Sequence, residues 1–303
     1  MAPPNVAVIV GSSQGLGLHL ARSYLARTDL QVVSLSRKPS EARNAILDTK
    51  AASPLNLNGP NGSKKTGEAD AANMSHLEGS RLTNLEVDVR NEESLQQAAS
   101  EVSKKFGDSS LRLLFNVAGK LTPEKNLGQV EYEEMLEQFK INTFFPLLSF
   151  KHFVPLLPKP VSTPNQPVSE KDDPAHGLLP STHSILASLS ARVGSINDNE
   201  RGGWYSYRAS KAAQNMITKS LSRELANRNL AALACALHPG TVRSELSREF
   251  TGGPGGMKGK EKKEGEFEAD EAANNLIEVL KGLHDVKGDN GKFYDWRGKE
   301  VPW

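Results

Sequence analysis

Asn5-Val6-Ala7-Val8-Ile9-Val10-Gly11-Ser12-Ser13-Gln14-Gly15-Leu16-Gly17 reads as a buried strand that runs straight into a glycine turn. An unbroken run of β-branched and small residues, with no polar alternation, suits a strand covered on both faces of a parallel sheet. Beyond the turn, Leu16, Leu20, Tyr24 and Leu25 recur at helical spacing. Strand, glycine turn and helix together open a dinucleotide-binding βαβ unit. Gly11, Gly15 and Gly17, spaced G-x-x-x-G-x-G, let the backbone bend sharply and approach a pyrophosphate. The N–H groups at the helix start would meet its charge.

The next strand outward is Gln31–Ser36, followed by Arg37 and Lys38. A carboxylate at this strand end accepts hydrogen bonds from the adenosine ribose 2′-hydroxyl, whereas a basic residue meets a 2′-phosphate. Ser36, Arg37 and Lys38 stand there without a carboxylate, so NADP(H) is favoured over NAD(H). Further strands are read at Leu85–Val89, Leu111–Phe115, Ser184–Ala187, Leu230–Leu237 and Lys292–Tyr294. Helices are read at Glu92–Phe106, Glu131–Leu157, from the Tyr207 region to about Arg228, and at Asp270–Leu283. This alternation implies one α/β domain of Rossmann type, doubly wound, with a mostly parallel sheet of six or seven strands. Residues 50–80 and 158–182 lack an apolar period and are expected to be flexible insertions, with a mobile substrate loop at 245–268.

Across 303 residues, 37 Lys and Arg stand against 36 Asp and Glu, a balance that argues against a general nucleic-acid or membrane-surface binder. No apolar run reaches the ~18 residues of a membrane span. The first strand begins about five residues from Met1, which leaves no room for a signal peptide, so a cytoplasmic protein is expected. Cys235 lies among alanines and leucines and reads as a buried structural thiol. The histidines form no metal-ligand spacing, and no metal is expected.

The chemistry is carried by Trp204-Tyr205-Ser206-Tyr207-Arg208-Ala209-Ser210-Lys211. In a helix, Tyr207 and Lys211 share one face. A phenol loses its proton near pH ~10, and an ammonium beside it favours the phenolate. Such a pair can pass a proton to or from a substrate oxygen near neutral pH. The chain also shows, in order, the glycine turn, Asp88, Asn116-Val117-Ala118-Gly119, Asn142, a serine region, Tyr207-x-x-x-Lys211 and Pro239-Gly240. This succession resembles the short-chain dehydrogenase/reductase family over nearly the whole chain outside the two insertions. Ser190–Asn199 and the ending Gly291–Trp303 resemble, within that family, the carbonyl reductases related to a bacterial cell–cell signalling factor.

The resemblance implies that Tyr207 is the general acid/base, that Lys211 lowers its pKa and binds the nicotinamide ribose, and that Asn142 holds a water in a proton relay. It implies cofactor contacts from Gly11, Ser13, Gln14, Gly15, Leu16 and Gly17, and from Ser36 and Arg37. Asp88 and Val89 would meet the adenine. Asn116, Ala118 and Gly119 would lie along the cofactor, with Pro239, Gly240, Thr241 and Val242 near the carboxamide. A small carbonyl or alcohol substrate and a homodimer or homotetramer are implied as well. Two departures stand out. The family's Asn-Asn-Ala-Gly reads Asn-Val-Ala-Gly here, and Ala191 stands close to where the family's substrate-binding serine often sits. Ser190 is taken for that role, with Ser188, on the same side of an extended strand, as the alternative. The function implied is NADP(H)-dependent interconversion of a carbonyl and an alcohol. The alternatives are an NAD-preferring alcohol dehydrogenase and a dinucleotide-binding sensor with little turnover.

Overall fold

Every residue of the strand β1 (Val6–Val10) is buried. Its alternation feeds two cores: Ala7 and Ile9 face one, Val6, Val8 and Val10 the other. The computed structural model describes residues 5–48, 77–159, 172–248 and 263–303. β1 is central to a parallel sheet with β2 (Gln31–Ser36), β3 (Leu82–Glu86), β4 (Leu111–Asn116), β5 (Ser184–Leu189) and β6 (Ala232–His238). Two short strands, β7 (Thr241–Val242) and β8 (Glu266–Phe267), pair with each other, and β9 (Lys292–Asp295) closes the main sheet beside β6. The order β3-β2-β1-β4-β5-β6-β9 gives seven strands whose carboxyl ends share one edge. The chain reverses direction across the sheet between β1 and β4, the position where open α/β sheets bind ligands.

Helices cover both faces. α1 (Gly15–Arg27), α2 (Pro39–Leu47) and the last helix supply Leu20, Ile46 and Leu276 to the first core. α3 (Glu92–Phe106), α4 (Tyr132–Phe139), α5 (Phe145–Phe153) and α6 (Tyr205–Asn227) lie on the other side, and α7 (Ala269–Lys281) is that last helix. α3 has the ends its sequence announces. The Asn91 side chain accepts the Glu93 N–H, two glutamates occupy the first turn and Lys104 and Lys105 the last.

Several boundaries differ from expectation. The third strand ends at Glu86, so Val87, Asp88 and Val89 follow it rather than belong to it. This edge strand is only half covered, which weakens its apolar signal. The long helix read over Glu131–Leu157 is broken by a π turn at Lys140–Phe144. Pro146 has no N–H to give the Asn142 carbonyl, and a wider turn absorbs the missing bond. α2 and the β7–β8 pair were not legible in the pattern. Of the expected insertions, residues 50–76 and 160–171 lie outside the described residues, as do 249–262 of the expected substrate loop. Residues 172–182 pack inward, with Ala175, Leu178 and Leu179 in the first core.

Cys235 is fully buried on β6, and burial pushes its thiol up. Among the described residues no helix is long and apolar enough to cross a membrane, and no cluster of three His, Cys, Asp or Glu could hold a metal.

His183, just before β5, is buried with Nε2 at 3.0 Å from the Leu283 carbonyl and Nδ1 at 3.0 Å from the Thr182 hydroxyl. Burial lowers its pKa from 6.5 to about 4, so the fold holds the neutral ring. Because the folded value lies below the unfolded one, this contribution to stability is present above pH 6.5 and is lost as pH falls towards 4. Thermal melts should decline across that window, and less steeply in His183→Gln.

Candidate active site

The glycine turn sits where β1 ends. Gly11 has φ +89 and donates its N–H to the Leu35 carbonyl at 2.9 Å. A Cβ at Gly17 would stand 2.2 Å from the Gly11 carbonyl oxygen, so the first turn of α1 can approach only without a side chain. α1 has no side-chain cap, which leaves its leading N–H groups open to an anion. Ser13 and Gln14 are exposed on this turn, while the Leu16 side chain is in the core and offers only its backbone. Ser12 turns inward instead, its hydroxyl 2.7 Å from that of Ser34.

At the end of β2, Ser36 is buried and its hydroxyl has no hydrogen-bond partner in the structure. Arg37 is exposed beside it, whereas Lys38 is held by Glu41 at 2.9 Å. An orphaned hydroxyl next to an open guanidinium fits an anionic ribose substituent. Asp88 lies across from Ser36, beyond β3, with its carboxylate accepting the Arg90 N–H at 3.0 Å. Val89 is half-buried next to it. Asn116 does not face this edge. Its amide donates to the Ser188 hydroxyl at 3.4 Å and accepts from Ser149 at 2.8 Å, bracing β4, β5 and α5. Ala118 follows, its N–H on the Val10 carbonyl, so the β4 turn lies against the glycine turn. Pro239 is buried after β6, and Gly240 has φ +79 with the Phe267 ring where a Cβ would be. Thr241 and Val242 follow in β7, tied to β8.

The Tyr207–Lys211 helix starts without a cap of its own, and Trp204 precedes it at φ +53. Glu124, on the loop after β4, supplies the missing acceptors. Its carboxylate takes the Ser206 N–H at 3.1 Å and its carbonyl the Trp204 N–H at 2.6 Å. Arg208 donates to the Val193, Gly202 and Gly203 carbonyls, fixing the loop that enters the helix. Sequence reading missed Glu124; a buried glutamate 80-odd residues from the helix it caps carries no local signal.

Tyr207 is buried, with the Trp204 ring edge-on at 6.2 Å and the Lys211 ammonium 5.9 Å from its centroid. Asn142, inside the π turn, donates to the Lys120 carbonyl at 2.8 Å and the Ser210 hydroxyl at 3.0 Å. Its Oδ1 accepts the Lys120 N–H at 2.9 Å. A Cβ on Gly119 would lie 3.5 Å from Asn142 Oδ1 and 3.9 Å from Lys211 Nζ. The bare glycine therefore keeps open a space bordered by both groups. Ser190 is buried just past β5, and its hydroxyl donates to Asn215 Oδ1 at 2.6 Å. Asn215 lies eight residues beyond Tyr207, about 12 Å along the helix axis at the usual rise, so this hydroxyl is committed away from the phenol. Ser188 is bound to Asn116 and fully buried.

Electrostatics here follow burial rather than pairing. Burial pushes the Tyr207 phenol above its ordinary range and lowers Lys211 to about 7. The expected lowering of the phenol by the ammonium is not the dominant effect. The ammonium instead donates to the Leu189 carbonyl at 2.7 Å and Gln214 Oε1 at 2.9 Å. His238, ending β6, is lowered to about 4 by burial and stays neutral near pH 7.

Comparison with known proteins completes the assignment. Residues 5–140 match the family model described as KR domain. The C-signal protein of Myxococcus xanthus is 30% identical over 177 residues, 58% of this chain and 83% of its own. A 1-hydroxy-2-glutathionyl-2-methyl-3-butene dehydrogenase of Rhodococcus sp. (strain AD45) is 31% identical over 166 residues, which is 55% of this chain and 61% of that relative, less than two thirds of its length. The NADPH-bound carbonyl reductase from chicken fatty liver shares the fold, with TM-score 0.68 at 24% identity over 100% of both chains. Fold and relatives define an oxidoreductase acting between CH–OH and C=O. The chain belongs to the short-chain dehydrogenase/reductase family.

Proposed function

We propose that this protein is an NADP(H)-dependent carbonyl reductase with Tyr207 as its proton donor. The observation that carries this reading is one sheet edge that gathers the glycine turn, the open space beside Gly119, and Tyr207, Lys211 and Asn142 around it. Gly11, Gly15 and Gly17 would hold the diphosphate, with Ser13, Gln14 and the Leu16 N–H at the helix start. Ser36 and Arg37 would hold the 2′-phosphate, Asp88 and Val89 the adenine, and Ala118 and Gly119 the central stretch. Pro239 to Val242 would border the nicotinamide. Bound NADPH would supply the hydride to the carbonyl carbon. Tyr207 gives its proton to the carbonyl oxygen as charge develops there. A phenol raised by burial is fully protonated at neutral pH, the starting state that reduction requires. Lys211, beside the ring, stabilises the phenolate left behind, and Asn142 fixes the floor of the site through Lys120 and Ser210. Asn116 acts by bracing β4 against β5. A homodimer or homotetramer is the assembly that the family resemblance suggests.

Initial rates with NADPH and NADH over a panel of ketones and aldehydes test the proposal. NADPH should be preferred, and Arg37→Ala should raise KM for NADPH roughly tenfold, the loss of about one charged hydrogen bond, with NADH rates unchanged. A clear NADH preference would assign an NAD-dependent alcohol dehydrogenase instead. The Ser190–Asn215 bond favours one second reading, a dinucleotide sensor. It would be supported by tight NADPH binding without turnover, unaltered in Tyr207→Phe.

A further inference from the structure

Gln214 stands one turn beyond Lys211 on α6, and both side chains are buried. Gln214 Oε1 accepts from the Lys211 ammonium at 2.9 Å, and its Nε2 donates to the Leu189 carbonyl at 3.2 Å. The same carbonyl accepts from the ammonium at 2.7 Å, closing a ring of three hydrogen bonds. Donor chemistry fixes the amide's orientation. An ammonium only donates and a carbonyl only accepts, so oxygen must face Lys211 and nitrogen must face Leu189. The ammonium has three N–H donors. Two are taken within this ring, which leaves one for the space beside Gly119 and Asn142. An apolar side chain at 214 would leave the ammonium a single protein acceptor in a dry environment.

We propose that Gln214 is a positioning residue that orients the Lys211 ammonium and keeps it charged, so that one donor points at the nicotinamide ribose and the ring of Tyr207. This rests on the carbonyl-reductase reading above and extends it to a residue outside the Tyr207-x-x-x-Lys211 motif. Burial alone drives Lys211 towards neutrality, to about 7, so an acceptor at this point decides how much of it is charged near neutral pH. The other charged groups on elements packed around Lys211 are engaged elsewhere. Lys120 is paired with Glu134 at 2.8 Å, Lys140 with Glu137 at 3.2 Å and Arg192 with Asp198 at 2.8 Å. Arg208 is bound to loop carbonyls, Glu124 to the helix start, and His238 is neutral.

The test compares wild type, Gln214→Leu and Gln214→Glu. The first readout needs neither cofactor nor turnover: the pH titration of Lys211 Nζ by NMR in lysine-labelled protein, assigned by Lys211→Met. Gln214→Glu keeps the acceptor and adds a charge, so the Lys211 titration should move up by about one pH unit or more. Gln214→Leu should move it down. The second readout is the pH profile of kcat with NADPH and the best carbonyl substrate. Its alkaline limb should follow the same order, with kcat roughly tenfold lower in Gln214→Leu at neutral pH, the loss of one hydrogen bond to a charged group. KM for NADPH should change far less. Identical Lys211 titrations in all three proteins would overturn the inference, as would losses of activity that track melting temperature with no movement of the alkaline limb. A wild type that shows no carbonyl turnover would sink the reductase reading instead, while the NMR result would still decide the role of Gln214.

Discussion

Tyr207→Phe should lower kcat/KM for carbonyl reduction by roughly 10²–10⁴-fold, the range for losing a positioned general acid. NADPH affinity and melting temperature should stay close to wild type. The reason for so clean a separation lies in how the ring is held. Trp204 is set edge-on to the ring and the Lys211 ammonium lies 5.9 Å from its centroid. A phenylalanine ring keeps both contacts and removes only the hydroxyl. Fluorescence titration of NADPH, thermal melts and steady-state rates measured on one preparation would check all three expectations. If the variant keeps most of its activity, the proton comes from elsewhere. Tyr205, two residues earlier and 40% exposed, would be the first side chain to examine. The pH dependence carries a sign as well. Burial raises the phenol, so reduction should not lose its acid on the alkaline side until Lys211, lowered to about 7, has given up its proton.

What the sequence disclosed and what it hid follow from range. Features written in contiguous residues were legible. β1, the glycine turn, the Glu92–Phe106 helix and the Tyr207–Lys211 pair all lie where the local pattern put them. The parallel sheet follows from the alternation of such segments. Features made by contacts across the chain were not legible. The Asn142 side chain looks like that of an ordinary helical residue until Lys120 and Ser210 are placed beside it. Ser190 has the right neighbours in sequence, yet its hydroxyl faces Asn215, a residue that no strand-end pattern would name. Asn116 sits in a cofactor motif and turns out to brace two strands and a helix. Glu124 and Gln214 are polar residues whose roles exist only once a loop and a strand end are brought against α6.

Gly17→Ala should be the most disruptive single change in the cofactor turn, and comparing it with Gly15→Ala isolates the cause. A methyl on residue 17 would lie 2.2 Å from the Gly11 carbonyl oxygen and 2.9 Å from its carbonyl carbon. Both are backbone atoms, so no rotamer change can relieve the overlap. Either α1 must draw away from β1, or the turn must give up the Gly11 N–H bond to Leu35. Overpacking of this kind costs about 1–3 kcal/mol, and more where backbone is involved. Melting temperature should fall, and NADPH affinity should fall with it, because the N–H groups that would meet the diphosphate move with the helix. Gly15 offers the contrast. It has φ +54 and open space within 4 Å of where its Cβ would be, so alanine there pays only for the left-handed backbone, about 1 kcal/mol. Gly15→Ala should therefore be milder in both melting temperature and NADPH affinity. Equal losses in the two variants would mean that conformational freedom, rather than the closeness of α1 to β1, is what this turn requires of its glycines.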